Sequence, residues 1–504
     1  MIRMIDRRQL HPVYMLFALL QTVKGLLPVA IITLLRGTKL THLNLYWYLG
    51  IGAVIALLLV YGYFDWRKFS YVLEQDRIVI QKGVLFRDEK TIYFSRIHSV
   101  NVEQPFIQRI LGVAQLKIET PGGNKKAEGI LAALSAKEAE KLRAQLLRSS
   151  DKGAMMEGAA QASETPAEPA TGLSSDTAEE KPSAVVPRQE ETRYRLNGGQ
   201  LLMAGLTSMN FGLVAAFVAG LISFADDFIR LIAPDHFIEN IAQESKSLMA
   251  DYLGILLIVA GALLLAWILS SILFLVKFAG FEVRMEGKRV AVSYGLLDKK
   301  THVFDPRKVQ AVIIEENLLQ QMAGYAKIRL QVVSSDKNER LVLHPFIARV
   351  KLQEVLGSYV PHLKVQKADT PAPKRALLYY MRVELIIAAV LSAALIFLFK
   401  GPGLLSLVLL PIVAYWCWSR YKTAGIGLEN GQLTLRKRYL SRITYYIRRP
   451  QIVVMSVRGT RWQQRKRLYS LSVHALGSEQ EYSVRCLDQA SIEPVWEWYS
   501  RERK

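Results

Sequence analysis

The chain has 504 residues, 51% of them hydrophobic and 22% charged, with a formal net charge of +21. That length leaves room for several domains, and the charge content argues against a protein lying wholly inside a bilayer. With no nucleic-acid module signature in view, the basic excess points to anionic lipid headgroups, at ~1 kcal/mol per juxtamembrane basic residue, and not to nucleic acid.

In chain order, a basic start with Arg3, Arg7 and Arg8 leads into apolar runs over residues 12–35 and 43–64. Each is about as long as the ~20 apolar residues that cross a hydrocarbon core. The first run is too long for the apolar region of a cleaved signal peptide, and a second follows at once, so it reads as a retained span. Further pairs follow at residues 201–224 with 252–278 and 383–399 with 404–418. A helix satisfies its own backbone hydrogen bonds where no water is available, so six helical spans in three hairpins are expected. Arg67 and Lys68, Lys277, and Arg420 and Lys422 follow the even-numbered spans, whereas residues 225–251 between spans three and four are acidic. The Lys/Arg bias therefore places both termini and all three soluble modules in the cytoplasm, against the small dissent of Arg36 and Lys39.

Each pair is followed by a short, β-rich, basic segment closing in a helix. In the first, strand-like runs over residues 71–80, 84–94 and 115–120 precede Ser135-Ala-Lys-Glu138, a capping box that opens a helix to about Arg148. The second segment has strands near 281–285, 289–292 and 328–333 and a helix near 348–359. The third has strands near 424–428, 432–436, 468–473 and 481–486 and a closing helix with Trp496 and Trp498. Residues 151–193, rich in Gly, Ala, Ser, Pro and Glu without aromatics, read as a disordered linker. The expected layout is hairpin 1–65, module 66–150, linker 151–193, hairpin 194–279, module 280–366, hairpin 367–419 and module 420–504.

With His98, Gln310 and Val453 in register, Gly83, Gly295 and Arg438 coincide, as do Gln108, Gln320 and Gln463, and Gly112, Gly324 and Arg467. The glutamines suit a thrice-repeated ligand contact or, more plainly, a structural amide in a loop before a strand. Gly83 and Gly295 suit turn positions needing a positive φ, which the arginine of the third module would reshape.

The run Leu-x-x-Asp-Arg-Ile-Val-Ile-x-x-Gly-Val-Leu, then Ser-Arg-Ile-His-Ser-Val, then Gln-Pro-Phe-Ile-Gln-Arg-Ile-Leu-Gly, resembles the second subgroup of bacterial pleckstrin-homology-like membrane proteins. The resemblance is sharpest over residues 71–112 and weakest in the third module. It implies an α+β membrane protein in which each hairpin is followed by a cytoplasmic PH-like β-barrel or sandwich with a C-terminal helix. It also implies a smaller single-module PH-like companion in the same membrane, hence a homo- or hetero-oligomer, with a role in envelope integrity or resistance to membrane-active agents. The family has no established enzymatic activity.

No nucleophile elbow, Walker loop, metalloprotease helix or dinucleotide fingerprint occurs, and the eight histidines are scattered singly. Glu315 and Glu316 are adjacent and would face opposite sides of a strand. No enzyme, cofactor or metal is expected. The third module is the most basic, with seventeen basic and seven acidic residues from Arg420 to Lys504. Arg436, Lys437, Arg438, Arg461, Arg465, Lys466 and Arg467 are its candidate anionic-lipid contacts, unless they form only a solvated face. Lys24, near the middle of span one, would want a partner, with Gln21 on its own face and Asn210 at similar depth in span three. A transporter or lipid-handling protein lined by these residues is the alternative reading, though the spans carry few such midplane sites.

Overall fold

The computed structural model describes residues 7–17, 45–84, 87–97, 99–120, 129–162, 193–208, 248–332, 341–476 and 480–500. It is a mixed α/β protein whose strands fall into four antiparallel sheets among the described residues. In chain order the described helices are α1 (Leu45–Lys68), α2 (Phe106–Ile110), α3 (Ala136–Ala162), α4 (Gly198–Thr207), α5 (Leu248–Phe278), α6 (Leu318–Ala323), α7 (Leu352–Tyr359), α8 (Leu377–Phe399), α9 (Leu409–Thr423), α10 (Arg461–Arg465) and α11 (Gln489–Ser500).

Three stretches of the described helices are long and apolar enough to cross a membrane: Ala260–Phe278, Lys374–Leu398 and Gly403–Thr423. Helix α1 covers the second expected span, while residues 18–44 and 209–247, which carry most of the first and third, lie outside the described residues. Helix α8 packs on α9 and on the 3-10 turn Pro402–Val408 before it, with Ser392 Oγ donating to the Ser406 carbonyl (3.1 Å) and Ser406 Oγ to that of Ser392 (3.3 Å). Small hydroxyl residues suit such a contact, because lipid-exposed helices gain little from apolar burial alone.

The strands do not respect the module boundaries. Strands β1 (Arg8–Gln9), β2 (Ser70–Leu73), β3 (Arg77–Lys82) and β4 (Asp88–Tyr93) form one sheet. The rest of module one, β5 (Ser99–Gln104), β6 (Val113–Glu119) and β7 (Gly129–Ser135), pairs instead with module two. Its partner sheet half is β8 (Arg193–Arg195), β9 (Glu282–Glu286), β10 (Arg289–Tyr294) and β11 (Lys299–Phe304), joined through β5 and β11. The pattern recurs one module on. Strands β12 (Val309–Glu316), β13 (Tyr325–Val332) and β14 (Leu341–Ala348) join β15 (Thr370–Pro371), β16 (Gly425–Glu429), β17 (Gln432–Arg438) and β18 (Arg442–Arg448) through β12 and β18. Strands β19 (Ile452–Arg458), β20 (Leu468–Ala475) and β21 (Glu481–Asp488) form the last sheet. Strands β1, β8 and β15 precede the apolar segments and pair with β2, β9 and β16, which follow them. These short strands carry too little pattern to be seen in sequence.

The cores are shared accordingly. Ala291 and Val303 of module two belong to the core of module one, Tyr446 of module three to that of module two, and Ala311 and Ile313 of module two to that of module three. Polar pairs reinforce the junctions. Arg143 meets Glu286 at 3.4 Å and Arg289 donates to Ser150 Oγ at 3.2 Å. At the second junction the buried Glu316 pairs with both Arg349 and Arg442, and Arg438 donates to Gln321. Burial lifts the Glu316 carboxyl above the usual carboxylate range, against the pull of Arg349 and Arg438.

Two sequence expectations are refined. Helix α3 starts as the capping box predicts, with the Glu138 N–H donating to Ser135 Oγ (3.2 Å), but it continues to Ala162. The Ala, Met, Glu and Gln residues of 151–162 are good helix formers and outweigh Gly153 and Gly158, so the helix enters the stretch read as a linker. The glutamines of the repeat lie in short helices, not loops. Gln320 and Gln463 accept the backbone N–H of Asn317 (3.2 Å) and Thr460 (2.9 Å), closing capping boxes on α6 and α10, and Gln108 donates to the Ala132 carbonyl at 3.3 Å. This is the structural use of the amide.

His344 of β14 sits between the rings of Tyr194 (4.7 Å) and Phe281 (5.4 Å). Its Nδ1 accepts the Phe346 N–H at 3.2 Å, and burial pulls its pKa from the ordinary value down to about 3. The unfolded chain takes up this proton near pH 6.5 and the folded one only near pH 3. Stability is therefore intact above pH 6.5 and erodes as pH falls through that window, by up to ~1.4 kcal/mol per pH unit. Melting of the purified protein at pH 7 and pH 5 is expected to show a larger acid loss for the wild type than for His344→Leu. Equal losses would dismiss this residue as the cause.

Candidate membrane and headgroup site

The apolar helices end in basic residues, Lys277 in α5 and Arg420 and Lys422 in α9, and the chain enters a strand directly afterwards. The β10–β11 turn leans back on the helix end, with the Leu296 N–H donating to the Val276 carbonyl and the Gly295 N–H to that of Ala279, both at 2.9 Å. Only glycine fits at 295. Its φ is +115°, and an added Cβ would lie 1.9 Å from the Asp298 carbonyl oxygen. Gly83 shares the positive φ, whereas β17 continues through Arg438, so that turn is reshaped in module three. There Trp416 Nε1 donates to the Tyr439 carbonyl (2.7 Å) and holds the equivalent turn against α9.

These turns leave Leu296, Leu297, Tyr439 and Leu440 exposed beside the helix ends. The short helices add to the same rim. Phe106, Ile107 and Ile110 of α2, Leu318 and Met322 of α6 (86% exposed) and Trp462 of α10 (67%) all face outward. Helix α2 touches the β10–β11 turn through Arg109 and the Leu296 carbonyl, and α10 is tied to the base of α8 by the Tyr379 hydroxyl donating to the Trp462 carbonyl at 2.8 Å. Large apolar side chains exposed next to cations at the end of a span suit the interfacial layer of a bilayer.

Behind the rim, two cavities occupy the same place in modules two and three. One, about 740 Å³, is lined by Lys277, Lys300, Lys327 and Arg329 against a single carboxylate, Asp298. The other, about 530 Å³, is lined by Arg420, Lys437, Arg438 and Arg485 against Glu384. Five lining positions coincide in the repeat register: Leu273 with Trp416, Lys277 with Arg420, Tyr294 with Lys437, Lys300 with Ile443, and Val342 with Arg485. The arginines are held in place. Arg420 is buried, pairs with Glu384 at 2.6 Å and stacks over Trp416 (4.9 Å) and Tyr439 (5.6 Å). Lys437 lies 5.3 Å above the Tyr445 ring, and burial lowers the Arg438 pKa. Even with Arg329 paired to Glu315 and Arg420 to Glu384, cations outnumber carboxylates around each cleft, and such a cleft at the end of a span can hold a phosphate-bearing headgroup by charge and hydrogen bonding.

The candidate lipid contacts thus divide. Arg461, Arg465, Lys466 and Arg467 are exposed on and after α10, beside Trp462. Arg467 keeps the left-handed backbone of Gly112 and Gly324, with φ of +53°. Lys437 and Arg438 line the cavity, and Arg438 also reaches Gln321 at the second junction. Arg436 is half-buried and donates to the Ala368 carbonyl at 3.2 Å. Lys24, Gln21 and Asn210 lie outside the described residues. Arg485, Lys300, Lys327 and Arg329 are not among the sequence candidates, and Lys277 is read there only as an orientation signal. They sit on separate strands and a helix end, and only the repeat register, carried through every cation, could have assembled them.

A family model described as Bacterial PH domain matches residues 18–150, 240–361 and 383–503. The chain is also 27% identical to a Bacillus subtilis (strain 168) protein described as UPF0699 transmembrane protein YdbT, over 99% of each chain.

Removing Glu384 strands the buried Arg420, at a cost below the about 3–5 kcal/mol of a fully buried pair because the Glu384 side chain keeps 24% of its surface exposed. Glu384→Met is expected to lower the melting temperature in detergent clearly, and adding Arg420→Met should recover part of the loss. A double variant that loses the sum of the two single effects would show no coupling.

Proposed function

The chain belongs to the Bacterial PH domain family, and on that premise we propose that it is a non-enzymatic scaffold of the bacterial inner membrane that binds anionic phospholipid headgroups. Six spans would anchor it, with both termini and all three modules in the cytoplasm. The basic residues at the ends of α5 and α9 support this side by the positive-inside bias. The observation that carries the reading is the repetition of one cationic cavity at the ends of α5 and α9, behind a rim of exposed apolar turns and short helices. A single patch would suit a chance surface. Two clefts at equivalent positions, set into sheets that run from module to module, suit a surface built to lie on lipid. A smaller PH-like membrane protein would join it in a complex, and the assembly would contribute to envelope integrity or resistance to membrane-active agents. That role rests on the family alone.

The test is thermal stability of the full-length protein in nanodiscs of phosphatidylcholine with and without phosphatidylglycerol. Phosphatidylglycerol is expected to raise the melting temperature of the wild type, and the increment should shrink in a variant carrying Arg485→Glu with Arg465→Glu, Lys466→Glu and Arg467→Glu. An undiminished increment refutes headgroup binding at this face. Mass spectrometry of proteins that co-purify in mild detergent tests the companion, and recovery without any PH-like protein rejects it.

A further inference from the structure

Each internal junction is made by the last three strands of one module and the first four of the next, and the two junctions share one register. Lys299 faces Gln104 and Phe304 faces Ser99 at the first, and Arg442 faces Glu316 and Ile447 faces Ala311 at the second. In the repeat register these are the same pairs of positions. Two halves of such a junction remain over at opposite ends of the row of sheets. Strand β4 pairs only with β3, and β19 only with β20, among the described residues.

Both leftover strands are exposed where their counterparts are buried. Lys90 and Thr91 of β4 lie open to solvent, while His302 and Val303 of β11 and Tyr445 and Tyr446 of β18 at those positions are buried; Ile92 is buried like Phe304 and Ile447. On β19, Val454 is 49% exposed. At its position Ala311 is fully buried in the core of the next module and Ser99 is 4% exposed. An open strand edge, with its row of unpaired backbone N–H and C=O groups, is a template for pairing with another chain.

We propose that β4 of one copy pairs antiparallel with β19 of the next, in the register of the internal junctions, so that copies in one membrane join head to tail. That register sets Ile92 opposite Val454 and Asp88 opposite Arg458. The second is an opposite-charge pair at the position where Glu103 Oε1 meets Lys300 Nζ at 3.9 Å, with the signs exchanged. The ladder ends before Val453, whose carbonyl already accepts from the Tyr499 hydroxyl at 3.2 Å. A second copy is favoured because this chain carries both complementary halves, and anchoring both copies in one bilayer raises their effective concentration. A heterologous contact of this kind closes into a ring or extends as a row. The charges on β4 also suit an edge kept apart from neighbours, and the experiment separates the two.

Two differently tagged full-length chains are co-expressed, one with Asp88→Cys and the other with Arg458→Cys; the native Cys417 and Cys486 are buried. Mild oxidation in membranes is expected to give a covalent species carrying both tags. Asp88→Cys with Val454→Cys, four residues out of register, should give much less, since a disulfide needs Cα atoms about 4.4–6.8 Å apart. In mild detergent, Asp88→Arg or Arg458→Asp alone should weaken self-association several-fold, and the two together in one chain should restore it. A monomeric wild type, no cross-link between tags, or cross-linking of Arg458→Cys only to a different protein overturns the proposal.

Discussion

The β5–β11 and β12–β18 ladders carry the architecture. Each joins the second half of one module to the first half of the next, so neither half presents a free edge at that point. Backbone hydrogen bonds set the spacing, and side chains cross the boundary in both directions, as Val303 and Tyr446 do into the preceding cores and Ala311 into the following one. Linked domains ordinarily move against one another unless their interface is large and apolar. Continuous sheets with shared cores remove that freedom, and the clefts at the ends of α5 and α9 are set into them.

Much of this was legible in the residues. The turn at Lys82-Gly83, the capping box at Ser135 and the spacing of the three glutamines follow from local chemistry, and local chemistry is what sequence records. The exchange of sheet halves is not local. A strand such as Ser99–Gln104 has the same alternation whether its neighbour is β4 of its own module or β11 of the next. The resemblance implies a barrel or sandwich for each module, and nothing in the repeat spacing shows which strands pair between modules. The short strands before the apolar segments were missed for the opposite reason, because two or three residues hold no periodicity.

The basic patch shows the same division. Counting charges picked out module three, and the exposed cations at α10 lie where a lipid contact would need them. Counting could not tell Arg438, half-drawn toward Gln321 and the buried Glu316, from Arg465 in the open. Nor could it find Arg485 opposite Lys437, since the two approach only after β17 and β21 fold over the end of α9. Burial, not charge, separates a structural arginine from one available to a ligand.

The pairing of β1 with β2, β8 with β9 and β15 with β16 has a topological consequence. Each is a clasp fastened across an apolar excursion of the chain, and both arms of a clasp must stand on one side of the lipid. With the proposed spans in a bilayer, the polypeptide would come back to the leaflet it left, so each excursion would make an even count of passages. A lost or added helix would pull the clasp open, which links the parity of insertion to the folding of the soluble sheet.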